Sequence, residues 1–505
     1  MNFNLVDDPW VSVLIGKQQH TLSLFDIFSK ADKISSIAEG TVEKIAITRL
    51  LLCISQAALN GPDDDKSWEL CKNNIIPLSL DYLKNWHDRF DLFGDYPFLQ
   101  ITELKNINNH NIAFLNPSFA SGANHTFFDS AARGKEDRVI SESDIVKSLL
   151  VSQIFAECGR KGGAVKDTTW GISSIKDQTK AATATNILIT IINGSSLLNT
   201  IHSNIINKEW LNDAKIQFGQ PVWEQKFINQ NDKLTENSRK TYLYNLVPIS
   251  RGILFEKDSN IISFCPGISP CEFPVYRDPM GTIVSKKIKN KVEPGYLKID
   301  TEKAPWRDLQ SILKISPDKL KYLQDGPWAM RHFNKGNSNK LIITTGGFAY
   351  DKAKPKLACE WQFIVPSKML SKQELSMYSG YVDNAEKALN KSKYAFEIYL
   401  NFSDKKLSFS DKDNKKVYIS LLSKSEKRYW YKLSKKSQEI LEKMSNASNP
   451  MTAQEIEDIT KFWNSVVYKS VLDSFQKSCG EYQKNFMSYT KALLWLKQNL
   501  KEILK

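Results

Sequence analysis

The chain has 505 residues, of which 41% are hydrophobic and 11% aromatic, enough to build more than one buried core. It carries 69 Lys and Arg against 56 Asp and Glu, and the formal net charge of +13 favours a polyanionic partner. No apolar run approaches the roughly 18–20 residues that a membrane span needs, and the N-terminus lacks the basic-then-apolar pattern of a secretory signal. We therefore expect a cytoplasmic protein of two or three domains with no membrane segment.

Residues 1–365 mix short helical and strand-like patterns that are separated by polar turns. Residues 45–59 (IAITRLLLCISQAAL) predict a buried helix, and the Ile- and Leu-rich stretch 181–206 predicts another. Residues 341–345 (LIITT) predict a β-strand that ends in a turn at Gly346-Gly347. These patterns indicate a large mixed α/β domain.

After residue 365 the apolar residues recur at alternating spacings of three and four, which is the stripe of a packed helix. The predicted helices cover residues 375–389, 420–444, 456–480 and 482–503. Four helices joined by short connections predict a four-helix bundle. The expected fold class is therefore α+β, with a mixed N-terminal domain over residues 1–365 and a C-terminal four-helix bundle over 366–505.

Residues 403–436, near the start of the predicted bundle, are strongly basic. They contain ten Lys and one Arg against four acidic residues. The interleaved aromatic residues are Tyr418, Tyr429, Trp430 and Tyr431. A charge run is most often a solvated helix face, whereas basic and aromatic side chains together also suit nucleic acid. Both interpretations stay open.

The cysteine and histidine patterns do not indicate a metal site. The seven cysteines are scattered, and only Cys265 and Cys271 lie close together, so no disulfide framework and no pair of Cys-x-x-Cys zinc motifs is present. None of the six histidines forms a His-x-x-x-His or His-Glu-x-x-His pattern, and no Gly-x-Ser-x-Gly nucleophile occurs. His87-Asp88 is a dipeptide of metal phosphohydrolases, but those enzymes need further His and Asp ligands. The sequence predicts binding rather than catalysis, with no cofactor and no structural zinc.

A short glycine loop with two adjacent cations, residues 158–163 (CGRKGG), is the most informative motif. Backbone without side chains can approach another molecule closely, and the flanking Arg and Lys favour a phosphate-bearing partner. The loop is not that of a nucleotide hydrolase, because no Gly-x-x-x-x-Gly-Lys-Ser/Thr occurs in the chain. Taken alone, it is more typical of a basic surface turn, and its interpretation depends on the motifs around it.

Five further motifs accompany this loop in a fixed order. They are residues 4–10 (NLVDDPW), 96–100 (YPFLQ), 122–130 (GANHTFFDS), 220–224 (QPVWE) and 304–308 (APWRD). In this order and with these gaps they resemble the large subunit of the type I-E CRISPR Cascade complex, the CasA family. The resemblance covers essentially the whole chain, including its length and its helical C-terminal end.

The resemblance implies a subunit at one end of a complex that is guided by CRISPR RNA (crRNA). Pairing with the crRNA reads the target sequence, while the protein reads a short flanking motif, the PAM, largely from the minor groove. It then opens the duplex to start the R-loop and helps to recruit a CRISPR-associated helicase-nuclease. The other implied partners are target double-stranded DNA, the crRNA, and the backbone, small and crRNA-end subunits of Cascade. No catalytic activity is implied for the chain itself.

The resemblance also assigns residues of this chain to DNA. The implied DNA- and PAM-binding residues are Asn124, His125, Phe128, Asp129, Ser130, Gly159, Arg160, Lys161, Gly162, Gly163, Lys286 and Lys287. The implied duplex wedge is Asp351, Lys352 and Ala353. In one member of the family the wedge carries an asparagine and a glutamine where this chain has Asp351 and Lys352, and Asp129 would bring an acid towards a polyanion. The PAM preference therefore cannot be carried over from that member.

Two rival functions stay open at this point. A scaffold or RNA-binding subunit that does not read DNA would bind duplexes equally with and without a PAM. A metal-dependent nuclease, suggested by His87-Asp88 and the basic charge, would cleave DNA as the isolated chain.

Overall fold

The computed structural model describes residues 3–104, 107, 109–115, 140–160, 169–172, 178–256, 259–288, 291–315, 324–335, 340–351, 354–400, 412–480 and 486–504. The chain divides into two compact units. The first consists of Met1–Thr301, Ile315–Gly336 and Ile342–Gln362, and the second of Glu302–Lys314, Asn337–Leu341 and Phe363–Lys505. The first unit combines helices with strands and the second is mainly helical, so the predicted α+β fold class is confirmed.

The first unit consists mainly of short elements, apart from two long helices and two long strands. Its helices are α1 (Leu24–Ser29), α2 (Thr41–Leu59), α3 (Asp65–Asn85), α4 (Glu142–Ile154), α5 (Leu197–Asn204), α6 (Lys208–Asp213), α7 (Lys233–Ser238) and α8 (Tyr242–Leu246). Its strands are β1 (Val11–Ile15), β2 (Gln18–Leu22), β3 (Ile34–Ile37), β4 (Asn109–Asn111), β5 (Gly159–Arg160), β6 (Gln178–Thr179), β7 (Ile189–Asn193), β8 (Arg251–Phe255), β9 (Ile261–Pro266), β10 (Ile283–Ile288), β11 (Lys291–Tyr296) and, for most of their length, β12 (Lys340–Asp351) and β13 (Lys354–Pro366). The strands form small sheets with the orders β2-β1-β3, β4-β9-β8, β13-β12-β7, β5-β6 and β10-β11.

Helix α2 lies inside the core of this unit. Its residues from Ile45 to Gln56 are buried on every side, and the helix packs against α3, α4, α5 and α8. A helix that is apolar around its whole circumference has to be covered by other elements. The prediction of a buried helix at residues 45–59 is confirmed.

The predicted helix over residues 181–206 is wrong in its first part. The structure has strand β7 at Ile189–Asn193, and only α5, from Leu197, is helical. The strand is nearly fully buried, and a short buried apolar run cannot be told from a helix by its periodicity. The helix begins where the Ser196 hydroxyl accepts a hydrogen bond from the Asn199 N–H.

The predicted turn at Gly346-Gly347 is also wrong, because β12 continues through both glycines to Asp351. A Cβ at Gly346 would lie 2.6 Å from the Cys359 carbonyl oxygen on β13. Gly347 has a φ of +151°, and a Cβ there would lie 2.9 Å from the Ile187 carbonyl oxygen. The glycines allow neighbouring backbone to approach, and β12 ends only at Asp351, three residues before β13 begins at Lys354.

The second unit contains the short helix α9 (Leu309–Ile312) and the four predicted C-terminal helices. The latter are α10 (Lys372–Tyr399), α11 (Lys412–Asn446), α12 (Ala453–Gly480) and α13 (Phe486–Ile503). The four long helices pack together, and α10 contacts each of the other three. The stripe predicted on the first of them is buried throughout its length, as expected for a bundle core. Within the described residues, no helix combines the length and the apolar character that crossing a membrane requires.

A buried ion pair joins α2 to the segment before β10. The Arg49 Nη1 lies 2.9 Å from the Asp278 Oδ2, and neither side chain is accessible to solvent. The Arg49 guanidinium also donates to the carbonyl oxygens of Leu246 (2.9 Å) and Asn245 (2.6 Å). The Asp278 Oδ1 accepts the Met280 N–H at 3.0 Å. Each charge is therefore compensated by further hydrogen bonds, which a buried pair needs to be tolerated.

We expect Asp278→Asn to lower the free energy of unfolding by about 3–5 kcal/mol, because it leaves the Arg49 charge buried without its counter-ion. The measurement is the urea midpoint of the purified chain. Asp81→Asn is the matched control, since it removes a carboxylate that pairs with Lys84 on the surface, where side chains are 63–67% exposed. The control should change the stability by less than about 1 kcal/mol. Equal midpoints for the two variants would contradict the importance of the buried pair.

Candidate nucleic-acid interface

The predicted site residues fall partly outside the described residues. Those outside are Asn124, His125, Phe128, Asp129, Ser130, Lys161, Gly162, Gly163, Lys352 and Ala353. Those inside are Gly159, Arg160, Lys286, Lys287 and Asp351. For Gly159, Arg160 and Asp351 the backbone alone is described, and it shows which elements lead into the glycine loop and into the predicted wedge.

The segment that leads into the glycine loop is held through its backbone carbonyls. Helix α4 ends at Ile154, and three consecutive carbonyl oxygens follow, each of which accepts a hydrogen bond. The Phe155 oxygen accepts from the Tyr350 hydroxyl at 3.0 Å, and the Ala156 oxygen accepts from the Ala182 N–H at 2.8 Å. The Glu157 oxygen accepts from the Arg251 guanidinium. The loop thus starts from a fixed stem.

After this stem the chain enters a two-residue strand. In β5, Gly159 pairs with Thr179 and Arg160 with Gln178 of β6. Cys158 is solvent-exposed immediately before the strand, whereas the other six cysteines are buried. The segment that leads into the glycine loop therefore reaches the surface of the unit at Cys158.

Arg251, the first residue of β8, is a buried cation that binds the end of this stem. Only 1% of the residue is exposed, and its guanidinium also donates to the Ser250 carbonyl oxygen at 2.6 Å. Burial lowers the pKa of Arg251 to about 10, and the Glu157 carboxylate is the first of the groups that act in the opposite direction. At neutral pH the residue stays protonated and can serve only as a donor.

The predicted wedge lies between β12 and β13. These neighbouring strands are joined by residues 352–353 alone, so they form an antiparallel hairpin, which we call the wedge hairpin (residues 340–366). Phe348 is 6% exposed and its ring lies 4.7 Å from the ring of Tyr350. The Tyr350 N–H donates to the Asn186 Oδ1 at 2.7 Å. The end of β12 is therefore anchored to the unit immediately before the connection.

The two candidate lysines of β10 have different environments. The Lys286 ammonium donates to the Tyr296 carbonyl oxygen at 2.6 Å, and burial, followed by the nearby Lys298 charge, lowers its pKa. Lys287 is exposed and pairs in the β10–β11 ladder with Val292, which is 58% exposed. Successive strand residues point to opposite faces, which explains the difference. Of the two, Lys287 is the one available to a ligand.

Asn186 brings these stems together. It has a left-handed φ of 62°, its side chain holds Tyr350, and its carbonyl oxygen accepts the Ile299 N–H at 3.1 Å just after β11. Because the Tyr350 hydroxyl in turn donates to Phe155, a short chain of hydrogen bonds through Asn186 and Tyr350 links the stem of the glycine loop, the wedge hairpin and the segment after β11. The sequence motifs did not indicate Asn186 or Arg251. For Asn186, the one available sign was the residue type, because Asn tolerates a left-handed conformation.

The His87-Asp88 dipeptide is part of the fold around the N-terminal segment. The His87 Nε2 lies 2.8 Å from the Asp7 Oδ2, and this hydrogen bond raises the pKa of His87. In the part of the chain that the structure describes, no group of three or more His, Cys, Asp or Glu is arranged to hold a metal ion. His87 thus has a structural role, whereas the Asp88 side chain is 95% exposed.

The basic run of the second unit forms most of α11. Tyr429 and Trp430 are buried in its core, whereas Tyr431 is 60% exposed, with the Lys435 ammonium 4.4 Å from its ring centroid. Lys424 and Lys427 are exposed as well. The interpretation as a solvated basic face accounts for these lysines, and Tyr431 is the interleaved aromatic residue that is most open to a ligand.

The comparisons with known proteins agree with this organisation. The profile of the family described as CRISPR-associated protein Cse1 matches residues 4–474. The CRISPR-associated protein CasA/Cse1 of Thermus thermophilus is 28% identical over 331 residues, which span 63% of this chain and 61% of that relative.

Solved structures extend the likeness to the complete fold. The crystal structure of Thermobifida fusca Cse1 superposes with a TM-score of 0.79 at 17% identity, covering 100% of this chain and 98% of that one. A chain from a structure titled "CRISPR RNA-guided surveillance complex" gives a TM-score of 0.71 at 16% identity, covering 99% of both chains. Since the family profile spans nearly the whole sequence and the fold is the same, the chain belongs to the CRISPR-associated Cse1 (CasA) family.

Proposed function

We propose that this protein is the non-catalytic large subunit of a crRNA-guided Cascade complex. It recognises the PAM of double-stranded DNA through the minor groove, opens the adjacent base pairs and helps to recruit the helicase-nuclease. Its proposed site of action is the cytoplasm, in complex with crRNA and the backbone, small and crRNA-end subunits. The observation that carries the proposal is the chain of hydrogen bonds through Asn186 and Tyr350, which links the segments that flank the three elements assigned to DNA by the resemblance.

The glycine loop is the proposed reading element. Its glycines leave backbone groups free to approach base edges in a groove about 6 Å wide, where a side chain would obstruct them. The net charge of +13 supports attraction to the phosphate backbone, which supplies affinity without sequence preference. Asn124, His125, Phe128, Asp129 and Ser130 are proposed to lie along the same DNA.

The wedge hairpin is the proposed opening element. Phe348 and Tyr350 fix the end of β12, so Asp351, Lys352 and Ala353 follow a rigid base. Opening the first step beside the PAM requires about 1.4 kcal/mol of stacking to be offset. A lysine can place its alkyl stem beside a base while its ammonium stays near phosphate.

A scaffold without DNA reading is the alternative that the experiments below have to exclude. Binding of a library of duplexes with randomised flanking sequence to the reconstituted complex separates the two functions. Enrichment of a flanking motif supports PAM reading, and uniform binding supports the scaffold. Divalent-metal-dependent cleavage by the isolated chain would support a nuclease instead.

In the same library assay, we expect Gly159→Leu to reduce the enrichment of PAM-bearing duplexes by roughly tenfold or more, the value of one lost base contact. The reason is steric exclusion of backbone from the groove. Arg160→Ala is the matched control at the neighbouring position: it should weaken binding to every sequence and lower the salt slope of log K by about 0.9. Wild-type enrichment with Gly159→Leu would make the loop a plain surface turn.

Lys287→Ala should weaken binding of the assembled complex to duplex DNA and lower the salt slope by about 0.9, the contribution of one phosphate contact. Lys286→Ala should leave the slope unchanged, because the Lys286 ammonium is bound to the Tyr296 carbonyl oxygen. The measurement is the dissociation constant over a series of KCl concentrations. Identical slopes for the two variants would remove Lys287 from the interface.

Lys352→Ala should slow R-loop formation on an intact linear duplex more than on a target whose first base pairs beside the PAM are mismatched. The premelted target needs no wedge, because its stacking has already been lost. Stopped-flow fluorescence of a base analogue beside the PAM measures both rates. Equal slowing on the two targets, or none on either, would show that Lys352 is not the wedge.

A further inference from the structure

Three successive backbone carbonyls before the glycine loop are held by three different parts of the chain. Arg251 of β8 holds Glu157, the segment at residues 182–185 holds Ala156, and Tyr350 of β12 holds Phe155. The first two contacts attach the stem to the body of the unit. The third attaches it to the wedge hairpin, and it joins residues 195 positions apart in the sequence.

The hydrogen bond between Tyr350 and Phe155 can pass a displacement of the stem before the glycine loop to the wedge hairpin. The Tyr350 hydroxyl donates to Phe155, which lies four residues before Gly159 in the sequence. The Tyr350 backbone belongs to β12 and lies one residue before Asp351, where the strand ends. The ring is fixed by Phe348 at 4.7 Å, and the N–H is fixed by Asn186 at 2.7 Å. A displacement of the stem at Phe155 is therefore passed to the hairpin through one side chain that has little freedom of its own.

The hydroxyl is suited to this contact over the whole physiological pH range. Burial raises the pKa of Tyr350, and the Glu157 carboxylate acts in the same direction. The phenol thus keeps the proton that it donates to the Phe155 carbonyl oxygen.

We infer that Tyr350 is a positioning residue that couples the glycine loop to the wedge hairpin, so that DNA held by the loop also orders the hairpin. The inference rests on the proposed function of these two elements. It adds that PAM binding and duplex opening are linked through a single tyrosine hydroxyl, which touches neither the PAM nor the opened base pairs. Energetic coupling of this kind requires an element whose position both sites influence, and the hydrogen bond between Tyr350 and Phe155 makes the end of β12 such an element.

The test is hydrogen–deuterium exchange of the assembled complex with a PAM-bearing duplex. The duplex carries mismatches to the crRNA, so the R-loop does not extend. In the wild type we expect protection of peptides from both the loop stem (155–160) and the wedge hairpin (347–358). Protection is the ratio of the exchange rates without and with duplex in the same variant, so that loosening of the hairpin that does not depend on DNA cancels. In Tyr350→Phe the duplex should still protect the stem, whereas its protection of the hairpin should fall by about three- to tenfold, the factor that corresponds to one neutral hydrogen bond.

Tyr429→Phe is the matched control, because the Tyr429 hydroxyl also donates to a backbone carbonyl, that of Ala385 at 2.8 Å, in the second unit. It should lose a comparable hydrogen bond and keep the wild-type protection of both peptides. A general loss of stability would therefore appear in both variants, and loss of coupling in Tyr350→Phe alone.

The outcomes separate the inference from the proposed function. If the wild type and Tyr350→Phe protect both peptides equally, the coupling is wrong while PAM binding by the loop stands. If a PAM-bearing duplex protects neither peptide in the wild type, relative to a duplex without a PAM, the proposed function fails and the coupling fails with it.

Discussion

The buried ion pair between Arg49 and Asp278 is the interaction on which the candidate interface depends. Arg49 lies in α2, the helix enclosed by the core, and its guanidinium fixes both the end of α8 and the segment before β10. From that segment the Met280 carbonyl oxygen accepts the Thr190 N–H of β7, and β7 pairs with β12. The wedge hairpin and the β10–β11 hairpin are thus both attached to one charge pair that cannot be solvated, and the cost of disturbing it keeps their bases in place.

Directional polar contacts, rather than apolar packing alone, position the candidate interface. Asn186, Tyr350 and Arg251 each donate to or accept from backbone groups of a distant segment. Such bonds set angles and distances that a hydrophobic contact leaves free, and a buried backbone carbonyl without a donor would itself be costly. A subunit proposed to place backbone in a narrow groove and a hairpin between base pairs needs this type of support, because small displacements would remove both contacts.

The chain shares the Cse1 fold with its solved relatives although its sequence identity to them is low. The fold extends over complete chains at 17% identity, so the core tolerates extensive replacement. The surface residues proposed to touch DNA are not constrained by that core. At the proposed wedge, Asp351 and Lys352 stand where one family member has an asparagine and a glutamine, which changes both the charge and the hydrogen-bonding capacity. We therefore expect the PAM preference to be a property of this chain, while the arrangement of the elements is common to the family.

The sequence alone determined α2 and the four C-terminal helices, because the pattern that predicts each of them lies within a short stretch of residues. The apolar run of α2 and the spacings of three and four in α10–α13 predict helices because burial of one face repeats within a few residues. The glycine loop and the wedge residues were assigned through the ordered motifs of the resemblance. Only the tertiary structure placed β7 inside a sheet, carried β12 through Gly346 and Gly347, and distinguished Lys287 from Lys286. It alone brought Tyr350 to Phe155. These features depend on hydrogen bonds between segments that are far apart in the chain. The periodicity within one segment does not determine which distant carbonyl oxygen a donor binds.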